Sequence, residues 1–306
     1  MIHVFGAVLV DAIACHDAFT PGTSCIATVR TAMGGVGFNI FRALGSAPRR
    51  FITALGDGPF SHYAKEALEA YADQIMVRVM PNRDVGMYLA LMQRGRLLYG
   101  VTDASTFEEA MDPGWLETVI RAVCPQDIVV IDANLVPDTI AYLVDAVARR
   151  GAWIVFEPVS VDKAARSRKA LHDVFLITPT EQELEALVGT QEPREKQVFE
   201  WMRQRRVEHL VVTMGAEGLQ WYDTTHTIRL RPLRTIDVRD TTGAGDQLMG
   251  TLLSEVHAAR MTLPEGVSSS SARETVGKSM EEKLRRAMDD VEAMLLERLS
   301  SLEQCC

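Results

Sequence analysis

The segment Asp240-Thr241-Thr242-Gly243-Ala244-Gly245-Asp246, followed by the apolar run from Leu248 to Val256, holds the residue types needed to move a phosphoryl group. It closes a strand-like stretch, passes through a turn of small residues and opens a helix, so backbone N–H groups face outward as an anion site. Asp246 falls in the first turn of that helix. A carboxylate there can take the proton of a hydroxyl that attacks a bound phosphoryl group. The spacing therefore predicts a kinase for a small alcohol. No Walker lysine follows the glycines, which excludes a P-loop NTPase.

The alcohol itself must be held. Asp11 follows the apolar stretch from Ile2 to Val10. Beyond the carboxyl end of a strand it could bind hydroxyls, and a turn-forming aspartate fits the position equally. In Gly34-Gly35-Val36-Gly37-Phe38-Asn39 the glycines let backbone approach a ligand, and Asn39 in the first helical turn offers both donor and acceptor. A plain helix-start turn explains the string as well. It is not G-x-G-x-x-G, so a dinucleotide fingerprint is absent. Asn134, Glu157, Glu183 and Thr213 each close an apolar strand and could converge on one rim, although each has a turn or helix-cap reading of its own.

The elements that would position these groups alternate regularly from Pro113 onward, strand and helix in turn. This predicts an α/β fold: a doubly wound, mostly parallel sheet with helices on both faces. Ile2 to Val10 reads as one buried strand. Short strands without intervening helices, at 15–33, 77–80, 85–92 and 96–101, suggest a small antiparallel flap. One domain spanning 1–306 is expected, with lid segments at about 12–33 and 77–102 and a long charged helix at about 272–302. Leu284, Met288, Val291, Leu295, Leu299 and Leu302 give that helix an apolar stripe suited to docking on the domain's own surface, with an intermolecular coil as the alternative.

The 306 residues, 47% hydrophobic and 24% charged, can bury a large core. A net charge of −9 and a pI near 5.4 argue against nucleic acid or an anionic membrane as the main partner. No apolar run approaches the roughly 18 residues of a membrane helix. The chain starts directly as a strand, which suits the cytoplasm. Five cysteines without C-x-x-C spacing read as free thiols, and Cys305-Cys306 as a tail.

With both glycine motifs in place, the chain resembles the ribokinase-like (PfkB) carbohydrate kinases over roughly residues 2–258. That resemblance implies a mostly parallel sheet with a β lid that closes over a sugar. It assigns Asp246 as general base and Gly243, Ala244 and Gly245 as the anion hole. Asp11, Gly35, Asn39 and Asn134 would bind substrate, and Thr213, Gly215, Gly218 and Thr242 would surround ATP. Glu183 would support Mg2+ through water, with Thr180 standing where the family motif has Asn; Asp240 would belong to a monovalent-cation (K+) site seen in some members. Phe156 to Ala164, Asp132 to Leu135 and Gly34 to Ile40 resemble the branch that phosphorylates the 5′-hydroxyl of pseudouridine. A ribokinase or fructokinase type, or a sugar or nucleoside sensor with a degraded ATP site, are the alternatives. The charged tail differs from the small-residue ending usual in the family. A homodimer through the lid is a further expectation.

Overall fold

The structure is a computed structural model and describes residues 1–234, 236, 243–264 and 267–303. In chain order the strands are β1 (Ile2–Phe5), β2 (Leu9–His16), β3 (Thr28–Gly34), β4 (Arg49–Leu55), β5 (Ile75–Val79), β6 (Gly86–Gln93), β7 (Arg96–Asp103), β8 (Ile128–Asp132), β9 (Trp153–Glu157), β10 (Leu176–Ile177), β11 (His209–Thr213), β12 (Leu219–Tyr222) and β13 (Thr227–Leu230). The helices are α1 (Val36–Ala43), α2 (Pro59–Glu69), α3 (Ser105–Ala110), α4 (Pro113–Ile120), α5 (Pro137–Arg149), α6 (Val161–Ser167), α7 (Glu181–Val188), α8 (Glu195–Arg205), α9 (Ala244–Met261), α10 (Ser269–Gly277) and α11 (Met280–Glu303).

The main sheet runs β13-β12-β11-β10-β9-β8-β1-β4-β5, parallel except at one edge, where β12 pairs antiparallel with both β11 and β13. Its central strands β1 and β8 are buried along their whole length. Such strands need helices on both faces, and two apolar cores supply them. Residues of α4 to α8, among them Leu116, Leu143, Leu184 and Trp201, fill one. Phe38 and Phe41 of α1, Leu252 and Val256 of α9, and Leu284 of α11 fill the other. The chain winds outward in both directions from the β1–β8 pair, so a crevice opens beyond their carboxyl ends.

Four sequence expectations change. The stretch from Ile2 to Val10 is not one strand: β1 ends at Phe5, and the chain crosses into a second sheet, β3-β2-β6-β7. The break falls where the Ala7 N–H, instead of joining a ladder, donates to the Asp132 carboxylate at 3.0 Å. Asp11 consequently lies inside β2 rather than past the end of β1. That second sheet is mixed, since β2 and β6 pair in parallel. The segment 77–80 is not part of it; β5 pairs with β4 at the edge of the main sheet. The C-terminal region forms two helices, with Lys278-Ser279 between them. Leu284 and Ala287 are buried, and Met288 and Val291 pack on the same core, so this half of the stripe docks against the domain, chiefly along α9.

Candidate active site

Asp246 is the third residue of α9 and Asn39 the fourth of α1. The Asn39 Nδ2 donates to Asp246 Oδ2 at 2.8 Å. One turn further along both helices, a Cβ on Gly250 would lie 2.3 Å from the Cβ of Ala43, so the two backbones touch there. Ser254 Oγ then donates to the Leu44 carbonyl at 2.9 Å. The small pair Gly250–Ala43 thus sets the separation at which an asparagine and an aspartate meet.

The turn before α1 is equally tight. Gly35 has φ of 99°, in the region that favours glycine, and a Cβ there would lie 2.4 Å from the Ala7 carbonyl oxygen. A Cβ on Gly34 would lie 2.0 Å from Asp11 Oδ2, so the Asp11 carboxylate lies across that glycine. Asp11, Gly35, Asn39 and Asp246 therefore gather at one crevice. Burial pushes the Asp246 carboxyl up to about 7; the negative charges of Asp132 and Asp11 add to this, and the Asn39 hydrogen bond opposes it. Burial alone raises Asp11 to about 6.

Asp132, which sequence reasoning did not single out, ties these pieces together. It is fully buried. Its Oδ2 accepts from Ala7 N at 3.0 Å, Gly37 N at 3.2 Å and Asn134 Nδ2 at 3.2 Å, and its Oδ1 accepts from Asn134 N at 3.0 Å. Gly6 and Gly37 leave room for it: a Cβ at either would come within 2.9 Å of Oδ2. Burial raises this carboxyl, with its hydrogen bonds and the Lys163 ammonium opposing. An aspartate closing an otherwise apolar strand, Ile128-Val129-Val130-Ile131, was the available signal. Asn134 is also fully buried, its amide shared between Asp132 and Lys163.

Along the neighbouring strand ends, Glu157 Oε2 accepts from Thr178 Oγ1 at 2.6 Å and Oε1 from Val159 N at 3.2 Å. Burial and then the charges of Glu183 and Asp246 hold its carboxyl well above the usual range. Glu183 starts α7 in a reciprocal cap: its Oε2 accepts from Thr180 N at 2.8 Å, and Thr180 Oγ1 accepts from Glu183 N at 3.3 Å. The threonine at the variant motif position is thus the helix cap. Thr213 N donates to the Pro179 carbonyl at 2.8 Å, joining β11 to this segment. Gly215 and Gly218 take φ of 56° and 96° in the turn that follows.

The charge of Glu183 opposes ionisation of the neighbouring Glu157, an arrangement that a divalent cation would relieve. Among the described residues no group of three or more His, Cys, Asp or Glu side chains could hold a metal alone. That suits Mg2+, which is commonly carried by one or two carboxylates together with substrate phosphates. Gly243, with φ of 77°, precedes α9, and no side chain caps that helix start. Gly245 is exposed, with nothing within 4 Å of where a Cβ would stand. Among the described residues, nothing covers the first N–H groups of α9 beside Asp246. Asp240 and Thr242 lie outside the described residues.

A large, mostly parallel sheet flanked by helices, with a separate small sheet, is the ribokinase-like architecture. The chain belongs to the pfkB family of carbohydrate kinases, whose pattern matches residues 1–288. It is similar to the pseudouridine kinase of Escherichia coli, 24% identical over 252 residues covering 78% of each chain. The pseudouridine kinase of Arabidopsis thaliana is 27% identical over 61% of this chain and 50% of its own. Likeness to E. coli 1-phosphofructokinase is local: 34% over 26% of either chain. Among solved structures, Giardia lamblia ribokinase superposes with a TM-score of 0.79 at 18% identity, covering 94% of this chain and 91% of that one. Arabidopsis ribokinase complexed with ribose and ATP gives 0.64 at 18% identity, covering 94% and 98%.

Proposed function

We propose that this kinase transfers the γ-phosphoryl group of ATP to the 5′-hydroxyl of pseudouridine. The observation that carries the phosphoryl-transfer chemistry is the Asp246 carboxylate, held by Asn39 at the open start of α9. The assignment of pseudouridine is supported by the extent of the likeness to the E. coli pseudouridine kinase, compared with the short match to 1-phosphofructokinase.

In this reading the hydroxyl oxygen bonds to the γ-phosphorus, the bond from that phosphorus to the β-bridging oxygen breaks, and the hydroxyl proton passes to Asp246. Gly243, Ala244 and Gly245 direct backbone N–H groups at the transferring group. Asp11, Gly35 and Asn39 hold the ribose, and Thr213, Gly215 and Gly218 border the nucleotide. Glu183 and Glu157 would support the magnesium that accompanies ATP, which would neutralise charge on its phosphates. Asp246 titrates near neutrality, so a large share is ionised at working pH. The protein works in the cytoplasm, where ATP is abundant.

The small sheet acts as the lid, and its outer face pairs with a second copy. Val29, Leu89, Tyr99 and Val101 project from one face of it and are exposed, whereas Asp11 and Tyr88 occupy the other. An apolar surface of this kind is a candidate association site.

An ADP-release assay with pseudouridine, uridine, ribose and fructose tests the reading. The highest kcat/KM with pseudouridine is expected. Preference for ribose or fructose would overturn the substrate and leave the kinase standing. Failure to bind an ATP analogue in the presence of substrate would point instead to a sensor.

A further inference from the structure

The rim above β8 and β9 contains a cation that the proposed reaction leaves without a task. Asn134, the residue expected to meet substrate there, has no exposed surface. Its Nδ2 is given to Asp132 and its Oδ1 accepts from the Lys163 ammonium. Lys163 is only half-buried, and an ammonium has three donors. One is used on Asn134.

The backbone that delivers Lys163 is strained. Val159 adopts φ of 67°, which is out of range for a β-branched residue in ordinary structure. Glu157 holds it there by accepting the Val159 N–H at 3.2 Å, and Ser160 N donates to the Pro158 carbonyl at 2.7 Å. Ser160 then caps α6, and Lys163 sits at its third position. Strain of this kind collects at ligand-binding segments. Its local effect is to bring the amine of Lys163 back over the end of β8.

The Nη2 of Arg166, one turn on, reaches Glu108 Oε1 at 2.8 Å and the carbonyls of Ala133 and Leu135 at 3.0 Å each. It fixes the β8 exit and ties it to α3, the helix that follows the small sheet. Asp132 is the charge felt by both Asp246 and Lys163. The other charged neighbours differ: Asp11 for Asp246, Arg166 and Glu108 for Lys163. The hydrogen bonds place the two groups on either side of Asp132: its Oδ2 accepts from Gly37 N at the start of α1, the helix whose Asn39 holds Asp246, and from Asn134 Nδ2, whose Oδ1 meets the Lys163 ammonium on the α6 side.

We propose that Lys163, oriented by Asn134, is the substrate-contacting residue of this rim and donates to a carbonyl oxygen of the nucleobase. This rests on the nucleoside reading above. The base of pseudouridine presents carbonyl acceptors; ribose alone presents none at that end. Lys163 is therefore a specificity residue rather than part of the phosphoryl-transfer machinery.

The test compares kcat/KM for pseudouridine and for ribose in wild type, Lys163→Met and Lys163→Arg. A hydrogen bond from a charged donor is worth about 1.5–3 kcal/mol, which converts to roughly 10-fold to 150-fold. The expected result is a loss of that size for pseudouridine in Lys163→Met, appearing in KM, with kcat and the activity toward ribose within about twofold of wild type. Lys163→Arg should recover part of the loss. Equal losses on both substrates, or a drop in kcat alone, would overturn the assignment, since a residue that only braces the rim has no means of telling them apart. A wild type that turns over ribose and ignores pseudouridine would overturn the nucleoside reading and the base contact with it. Thermal unfolding of each variant separates a folding defect from a binding one.

Discussion

Replacing Asn39 with leucine removes the donor that favours the charged form of Asp246 while keeping side-chain volume nearly constant. The lost contact is a 2.8 Å hydrogen bond to a largely buried carboxylate. Bonds of that class contribute about 1.5–3 kcal/mol, and one pH unit corresponds to about 1.4 kcal/mol. The carboxyl of Asp246, already raised to about 7, should therefore rise by about 1–2 units further. The direction is fixed: a base must be ionised to act, so activity falls as pH drops through this value, and the fall should begin at higher pH in the variant. At neutral pH the ionised share drops from about half to about a tenth or less, a loss of about fivefold or more from ionisation alone. Loss of a contact to the sugar adds to it. The assay is kcat/KM for the best substrate from about pH 5 to about pH 9, which reports the free enzyme. An acid limb that stays within about 0.3 units of wild type while KM rises would refute the coupling of Asn39 to the base.

Gly250→Val should separate α1 from α9, since even a methyl group there would stand 2.3 Å from the Ala43 Cβ. The expected outcome is about 1–3 kcal/mol of lost stability and about a tenfold drop in kcat, with Ala43→Gly restoring part of both in Gly250→Ala; full activity in Gly250→Val would contradict the seam. Asp132→Ala orphans four buried donors and should cost about 3 kcal/mol or more in urea unfolding, and a loss below about 1 kcal/mol would remove Asp132 as the tie between β1, α1 and β8. The proposed lid-to-lid dimer predicts a dimeric mass for wild type on light scattering and a monomeric one for Leu89→Lys with Tyr99→Lys, and the same mass for both would exclude the outer lid face as the contact.

What the sequence disclosed follows from where its information is local. Gly243 to Asp246 and Gly34 to Asn39 are contiguous strings, and the helix starts they encode need only their own turn chemistry. That these two starts meet depends on Gly250 and Ala43, whose role appears only once α1 and α9 are side by side. Asp132 was hidden for the same reason: its donors come from residues 7, 37 and 134, and no window of sequence contains them. The crossing at Ala7 carries only Gly6 as a local sign in a mostly apolar run, because the Asp132 carboxylate, distant in sequence, is what takes the Ala7 N–H out of the ladder. The segment 77–80 has the alternation of a lid strand yet belongs with β5 of the main sheet, since alternation records a half-buried surface and not its partner. Asp240 and Thr242, which the resemblance places beside the nucleotide and a cation, remain expectations of sequence.

The central claim is that Asp246 removes the proton from the attacking hydroxyl. It is tested most directly by single-turnover transfer from γ-labelled ATP in wild type and Asp246→Asn, with both shown to bind ATP and substrate. The account predicts a folded, ligand-binding variant whose transfer rate falls by about 10²–10⁴. Transfer within about threefold of wild type would contradict it.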